Sequence, residues 1–497
     1  MPPTGSLVVV QRCALLALSA VVLGSSTAAA NPEPPGNYDA RVVGMGTLAI
    51  ATIDNAAALF HNPAQLDQVD RFTATVVATS LLVNLRAPFA GPGSEQDSGL
   101  IYAPLGFVGA VGRLHERVTL GLGAYVYTGF GGGFSAVECI ANGDPSVCTD
   151  PDSGFRLDPP ADQQVFLFVT EFALPVQVSI TERLSVGVTL RLPWARQDVR
   201  AHQDVPNCPL SATPPDPDVP DAPYDPCFDT PALQQARQEL RGVGVPGVLL
   251  GVSYRPTDRL TLAAAYRSKV WVNLDGDTSV PLAPGADPLR VPTSTRWYVP
   301  HMFRVGAAYK TWSDRITVGA EFKVQLHHEA NRRQRFELDS PLAPDTEAEF
   351  RWKNVYLGAL GFEIWATPRF AVRTGGTIAR SASRAATLTP FSPPPGIQFS
   401  AYLGFGLQAG PLDIDWAFGW GGGKATHIRE NYPLCSDADR RTVREGRNRT
   451  LVAQGGCAGS YDVDSWFLSL SATYRFGRPD IAERLRSGRA GSSFRSP

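Results

Sequence analysis

Leu184-Ser185-Val186-Gly187-Val188-Thr189-Leu190-Arg191-Leu192 decides the fold. Leu184, Val186, Val188, Leu190 and Leu192 take one parity; Ser185, Gly187, Thr189 and Arg191 take the other. A period of two is a strand with one apolar and one polar face, since successive side chains leave a strand on opposite sides. The same alternation runs from Ile316 to Leu326 and from Trp466 to Tyr474.

The joints between such strands fall into two sets. One is short and repetitive: His115-Glu116-Arg117, Thr181-Glu182-Arg183, Thr257-Asp258-Arg259, Ser313-Asp314-Arg315 and Thr367-Pro368-Arg369. The other is long and irregular, near 129–162, 201–241, 275–298, 337–349, 384–396 and 429–462. Short turns at one end and long loops at the other describe a transmembrane antiparallel β-barrel. Fourteen strands are expected, near 71–88, 100–113, 117–128, 164–180, 184–200, 242–255, 260–274, 299–312, 316–336, 350–366, 370–383, 397–409, 412–428 and 463–476. An even count suits an up-and-down bacterial barrel. Trp297, Tyr298, Trp312, Trp352, Tyr356 and Trp365 stand near strand ends and read as an interfacial aromatic girdle.

Composition agrees with an all-β membrane protein. The chain has 497 residues, 43% hydrophobic and 19% charged, with a formal net charge of −2. That is too polar for a bundle of membrane helices, but not for strands that are apolar on one face only. A balanced charge offers no basic face for nucleic acid.

Residues 1–30 read as a signal peptide. Arg12 precedes an apolar run from Cys13 to Leu23, and Ala28-Ala29-Ala30 ends a small-residue site cut before Asn31. The run is shorter than the roughly 18 residues that a membrane anchor needs. The mature chain is therefore expected outside the cytoplasm. Six of the seven cysteines remain there, in sequence-local pairs within the long joints: Cys139 with Cys148, Cys208 with Cys227, and Cys435 with Cys457. An even number in an oxidising compartment reads as disulfides. Non-reducing mass mapping is expected to return these three pairs; a bridge between loops would reject the scheme.

Residues 31–70 precede the first strand and are rich in Gly and Ala, yet carry Val42, Val43, Met45, Leu48, Ile50, Leu59 and Phe60. A solvated arm would carry fewer apolar residues. The segment reads as a plug, or hatch, in the lumen, with one helical turn over Asn55 to Phe60. The barrel proper spans 71–476. Residues 477–497, with Arg478, Arg484, Arg486, Arg489 and Arg495, read as a mobile periplasmic tail.

Tyr38 to Gly46, followed by Asp54-Asn55-Ala56-Ala57-Ala58-Leu59-Phe60-His61-Asn62-Pro63-Ala64-Gln65-Leu66, resembles the N-terminal hatch of the FadL/TodX transporters of long-chain fatty acids and hydrocarbons. Asp54, Ala56, Asn62, Pro63, Ala64 and Leu66 carry the match; Gln65 stands where the family has Gly. The resemblance implies a fourteen-stranded barrel with the hatch inside. It also implies capture of ligand by outer loops, a lumen pocket, and sideways exit through the wall near a kinked strand. Gly121 and Gly123 are the candidate gate glycines; the rival reading is that they begin a flexible loop.

A fatty acid needs a cation for its carboxylate. Arg191, Arg267, Arg304, Lys323 and Arg373 have lumen parity and are the candidate ligand-binding residues; their expected partners are Glu171, Glu321 and Glu363. Gly242 to Gly247 fits G-x-G-x-x-G, but Pro246 interrupts it and no helix follows. His327-His328 would face opposite sides of a strand, which makes shared metal ligation awkward. His301, His327 and His427 lack a nucleophile motif.

The expectation is thus a passive carrier of hydrophobic small molecules, most simply long-chain fatty acids, in the outer membrane of a Gram-negative bacterium. It would be no enzyme and would need no cofactor or metal. Its partners would be outer-membrane lipid and the barrel-assembly machinery, and the chain would work as a monomer. Two alternatives stand beside it: a channel for aromatic or aliphatic hydrocarbons, and a non-transporting structural or surface-recognition barrel.

Overall fold

The computed structural model describes residues 38–69, 71–88, 95–137, 161–206, 231–282, 285–311, 314–330, 332–340, 345–388, 391–428 and 459–476. The signal peptide, the tail and all six paired cysteines lie outside them.

Fourteen antiparallel passes form the wall. They are β1 (Phe72–Pro88), β2 (Glu95–Asp97 and Ile101–His115), β3 (Val118–Val137), β4 (Ala161–Ser179), β5 (Leu184–Pro206), β6 (Pro231–Val243 and Gly247–Tyr254) and β7 (Leu260–Arg267 and Val270–Val280). The circuit continues through β8 (Leu289–Val299 and Met302–Thr311), β9 (Ile316–Gln325 and Arg333–Leu338), β10 (Thr346–Glu349 and Val355–Trp365), β11 (Phe370–Arg380), β12 (Ile397–Ala409), β13 (Leu412–Ile428) and β14 (Gly459–Phe476). β14 pairs back onto β1 from Phe72 opposite Phe476 to Arg86 opposite Asp462, so the sheet closes and leaves no edge along that seam.

The short turns form because Thr caps them. Thr181 Oγ1 accepts from the backbone N–H of Arg183 and Leu184 at 3.2 and 3.0 Å, and Thr367 Oγ1 does the same for Arg369 and Phe370 at 3.2 and 3.0 Å. Such side-chain capping of a tight turn is why Thr recurs at this position.

Parity holds along the strands. On β5, Val188, Leu190, Leu192 and Trp194 are exposed, while Ser185, Thr189, Arg191, Ala195, Gln197 and Val199 are buried. The outward face turns charged after Trp194, at Arg196, Asp198 and Arg200. Ten steps from Leu184 to Trp194, at about 3.3 Å each and tilted by about 40°, give a belt roughly 25 Å tall, matching a membrane core.

Three expectations need correction. Much of the long joints is strand: β3 continues to Val137, β5 to Pro206 and β7 to Val280, so the wall rises well past the apolar belt. The run Gly131-Gly132-Gly133 on β3, and charged outward residues such as Arg196 and Asp198 on β5 and Asp275 and Asp277 on β7, hid those strands from an apolar-periodicity reading. Trp297 and Trp352 are buried inside the barrel rather than placed in a lipid-facing girdle; nearness to a strand end does not fix parity. Tyr356 does face outward. The helical turn lies at Ala58–His61, with Asn55 Oδ1 accepting from Ala57 N at 2.9 Å just before it.

Candidate functional site: the lumen

Residues 38–69 lie against the inner face of the wall. Asn62 carries the most structure. Its Oδ1 accepts from Ala64 N at 3.1 Å, capping the turn Pro63–Gln68, and Pro63 starts that turn where a missing N–H costs nothing. Its Nδ2 donates to Ile50 O at 2.9 Å and to Val252 O at 3.3 Å on β6. Gln65, which replaces the family's Gly, donates to the same Ile50 carbonyl at 3.0 Å.

The motif sits in a notch made by two glycines that pair across strands, Gly187 on β5 and Gly251 on β6. A Cβ at Gly187 would come within 2.5 Å of the Pro63 carbonyl carbon, and one at Gly251 within 2.0 Å of Asn62 Oδ1. Only glycine allows so close an approach. Neither residue stands out in the sequence, because glycine in a strand has many causes.

Asp54 ties the hatch to the end of the barrel. It pairs with Arg41 at 2.9 Å and with Arg475, next to last in β14, at 2.8 Å. Arg475 also holds Asp413 on β13 at 2.7 Å. Burial alone would raise the Asp54 carboxyl, but Arg41 and Arg475 outweigh it and hold it well below the usual range. Arg41 continues to Glu363 at 2.8 Å, which meets Arg373 at 2.7 Å, which meets Asp415 at 2.7 Å. His61 Nε2 lies 2.7 Å from Tyr38 O, so that nitrogen carries the proton, and Nδ1 accepts from Arg304 at 3.1 Å. Burial, aided by Arg304, pushes His61 well below the ordinary histidine range and keeps it neutral.

Higher on the wall stands a cationic collar. Arg191, Arg267, Arg304 and Lys323 are each eighth from the short-turn end of their strand. Arg191 and Arg267 share one carboxylate, Glu171, at 3.1 and 2.7 Å, and Tyr125 donates to it at 2.8 Å. Arg267 also stacks on Phe60 and Tyr127, 5.0 and 4.4 Å from their ring centroids. Arg304 meets Glu321 at 2.6 Å, whose other oxygen accepts from Ala49 N and Ile50 N of the hatch at 3.0 and 3.2 Å. Lys323 is buried and has its own partner. All five sequence-selected cations thus face inward, the expected acids Glu171, Glu321 and Glu363 hold four of them, and Arg373 stands apart in the hatch latch.

Above the collar the inward face becomes apolar. Val165 and Leu167 on β4, Val199 on β5, Leu240 on β6 and Leu274 on β7 belong to one buried cluster with Trp297, Phe350 and Trp352. The three aromatic rings pack 5.0–6.1 Å apart.

Gly121 and Gly123 lie inside β3, not at the start of a loop. The β3–β4 ladder lapses between Leu120 and Gly123, opposite Leu174 and Pro175, and Pro175 has no N–H to donate. Gly123 makes room for Leu59 of the hatch, whose Cδ2 would sit 2.8 Å from a Cβ there. Tyr38 OH donates to Val126 O beside a second irregularity, between Val126 and Thr128.

A closed fourteen-stranded wall with an inward-packed N-terminal segment can hold and pass a solute. Residues 163–476, more than half of the sequence, match the outer membrane protein transport family OMPP1/FadL/TodX. The chain belongs to that family. It is an outer-membrane β-barrel of the FadL/TodX transport proteins. Among solved structures it is similar to a FadL homologue of Pseudomonas aeruginosa, with 18% identity, 88% of this chain and 98% of that one covered, and a TM-score of 0.64. It is also similar to the toluene transporter TodX of Pseudomonas putida, at 14% identity, coverages of 88% and 98% and a TM-score of 0.61. The toluene transporter TbuX of Ralstonia pickettii follows at 16% identity, coverages of 90% and 99% and a TM-score of 0.58. No curated protein matches the sequence significantly. At these identities the solved structures speak for the fold.

Proposed function

We propose that this FadL/TodX protein carries hydrophobic molecules passively across the outer membrane, with long-chain fatty acids as the substrate class. The observation that carries the reading is axial: an apolar upper lumen lies directly above a collar of buried ionic side chains, Arg191, Arg267, Arg304 and Lys323 with Glu171 and Glu321. An acyl chain gains about 0.8 kcal/mol for each CH₂ buried in the first region. Its carboxylate can meet the bases of the second in exchange with their present partners, which orients the molecule more than it adds affinity, because desolvation offsets much of the attraction. The hatch closes the route straight through, and the lapse in the β3–β4 ladder at Gly121 and Leu122 is the proposed sideways exit.

Uptake should therefore rise with chain length. Lys323→Met should lower uptake of a long-chain acid about tenfold, the value of one charged hydrogen bond, and leave the alkane of equal length unchanged. Labelled acid and alkane, followed in cells that lack their own transporter, provide the measurement. Passage of small sugars or ions as readily as lipids would reject the reading.

Uncharged hydrocarbons are the second reading. It is favoured by the ion pairs that already occupy Arg191, Arg267, Arg304 and Arg373, and by the partner that Lys323 already has. Equal loss of acid and alkane, or no loss of either, in Lys323→Met would favour it.

A further inference from the structure

Within the apolar upper lumen, an uncharged hydrogen-bond chain crosses four neighbouring strands. Gln197 Nε2 on β5 donates to Gln238 Oε1 on β6 at 3.4 Å, and Gln238 Nε2 donates to Thr278 Oγ1 on β7 at 3.0 Å. Thr278 and Thr293 on β8 share a proton at 2.8 Å, and Thr293 Oγ1 donates to Val291 O at 2.9 Å. Gln197, Gln238, Thr278 and Thr293 are all at least nine-tenths buried, among Val199, Leu240, Leu274 and Val291.

The chain has a direction. A backbone carbonyl can only accept, so Val291 O takes the proton of Thr293, which must then accept from Thr278; each link donates toward β8. The head of the chain is Gln197, and its Oε1 is buried yet accepts from no described group. Buried polar atoms are nearly always bonded, and leaving one unmet costs about 1–3 kcal/mol.

We propose that Gln197 Oε1 is a recognition point for the hydroxyl of an otherwise hydrophobic molecule, an aliphatic alcohol or a phenol. The polarity of the chain selects a donor. A hydroxyl donating to Oε1 extends the run by one link, whereas an ionised carboxylate brings only acceptors and a hydrocarbon brings nothing. The site lies six residues above Arg191 on the same face of β5, about 20 Å along the strand at 3.3 Å per residue, and is separate from the collar. The inference rests on the proposed carriage of hydrophobic molecules and adds a subclass to it.

The test uses the full mature chain in lipid nanodiscs and the equilibrium binding of decane, decanol and decanoate, each corrected for partition into lipid. Wild type should bind decanol about tenfold more tightly than decane, the value of one added hydrogen bond. Gln197→Met, close to isosteric, should erase that ratio and leave decane unchanged. Thr278→Val, which cuts the relay and spares the acceptor, should reduce the ratio partway. Heat-modifiable mobility checks folding of both variants. An unchanged ratio in folded Gln197→Met, or equal loss of decane and decanol, would overturn the assignment while leaving hydrophobic carriage standing. Failure of wild type to bind any of the three would overturn both.

Discussion

Glu171→Gln is expected to destabilise the barrel by about 3–5 kcal/mol, the usual cost of leaving a buried charge without its partner. Glu171 is wholly buried and holds Arg191 at 3.1 Å and Arg267 at 2.7 Å, both equally buried. An amide in its place keeps the shape and one acceptor but removes the only negative charge shown between two guanidinium groups. The strands on either side, β4, β5 and β7, would be pushed apart at mid-wall, where the collar meets Phe60 and Tyr127 of the packed lumen. Urea unfolding in lipid vesicles measures the loss. Replacing Glu171, Arg191 and Arg267 together by methionine should recover much of the stability, because the triple variant buries no charge. A loss below about 1 kcal/mol in the single variant would show that water reaches the site and screens it.

Deleting residues 31–66 should leave an inserted, heat-modifiable barrel whose single-channel conductance in planar bilayers rises at least about tenfold. An eight-stranded barrel is just filled by its own side chains, and a fourteen-stranded one is wider. The N-terminal segment, whose Tyr38, Leu59, Phe60 and Leu66 are all buried, is proposed to occupy that extra width. The deletion strips Arg475 of Asp54, and Glu363 of Arg41, but it also admits water, which solvates the freed charges. The wall should therefore survive, since β1 to β14 close on one another through backbone bonds. Unchanged conductance would mean that the segment does not block the lumen.

The lipid-facing part of the wall is written in local sequence. Alternation such as Leu184 to Leu192 fixes which residues face lipid, because a strand's side chains have a period of two whatever its neighbours are. Repeated Thr-x-Arg turns fix where each hairpin ends, since the capping bond is local. The turn that Asn62 caps and Pro63 starts is equally local, whereas the reading of Asp54, Asn62, Pro63 and Ala64 as a hatch motif came from the family resemblance. The inward direction of Arg191, Arg267, Arg304, Lys323 and Arg373, and their acidic partners, were also legible, because charge is excluded from the lipid face.

Only the tertiary structure decided what those inward residues meet. That Glu171 serves two arginines, that Gly187 and Gly251 pair to form the seat of Asn62-Pro63-Ala64, and that Gln197, Gln238, Thr278 and Thr293 join into one directed chain all depend on register between strands tens of residues apart. Trp297 turned inward because its parity counts from the true strand, whose outward face carries Arg290 and Arg296, and Trp352 lies in the break between the two strand segments of β10. Parity is a property of one strand and is written in its residues. Register is set by closure of the whole wall around the hatch, and no single stretch of sequence carries it.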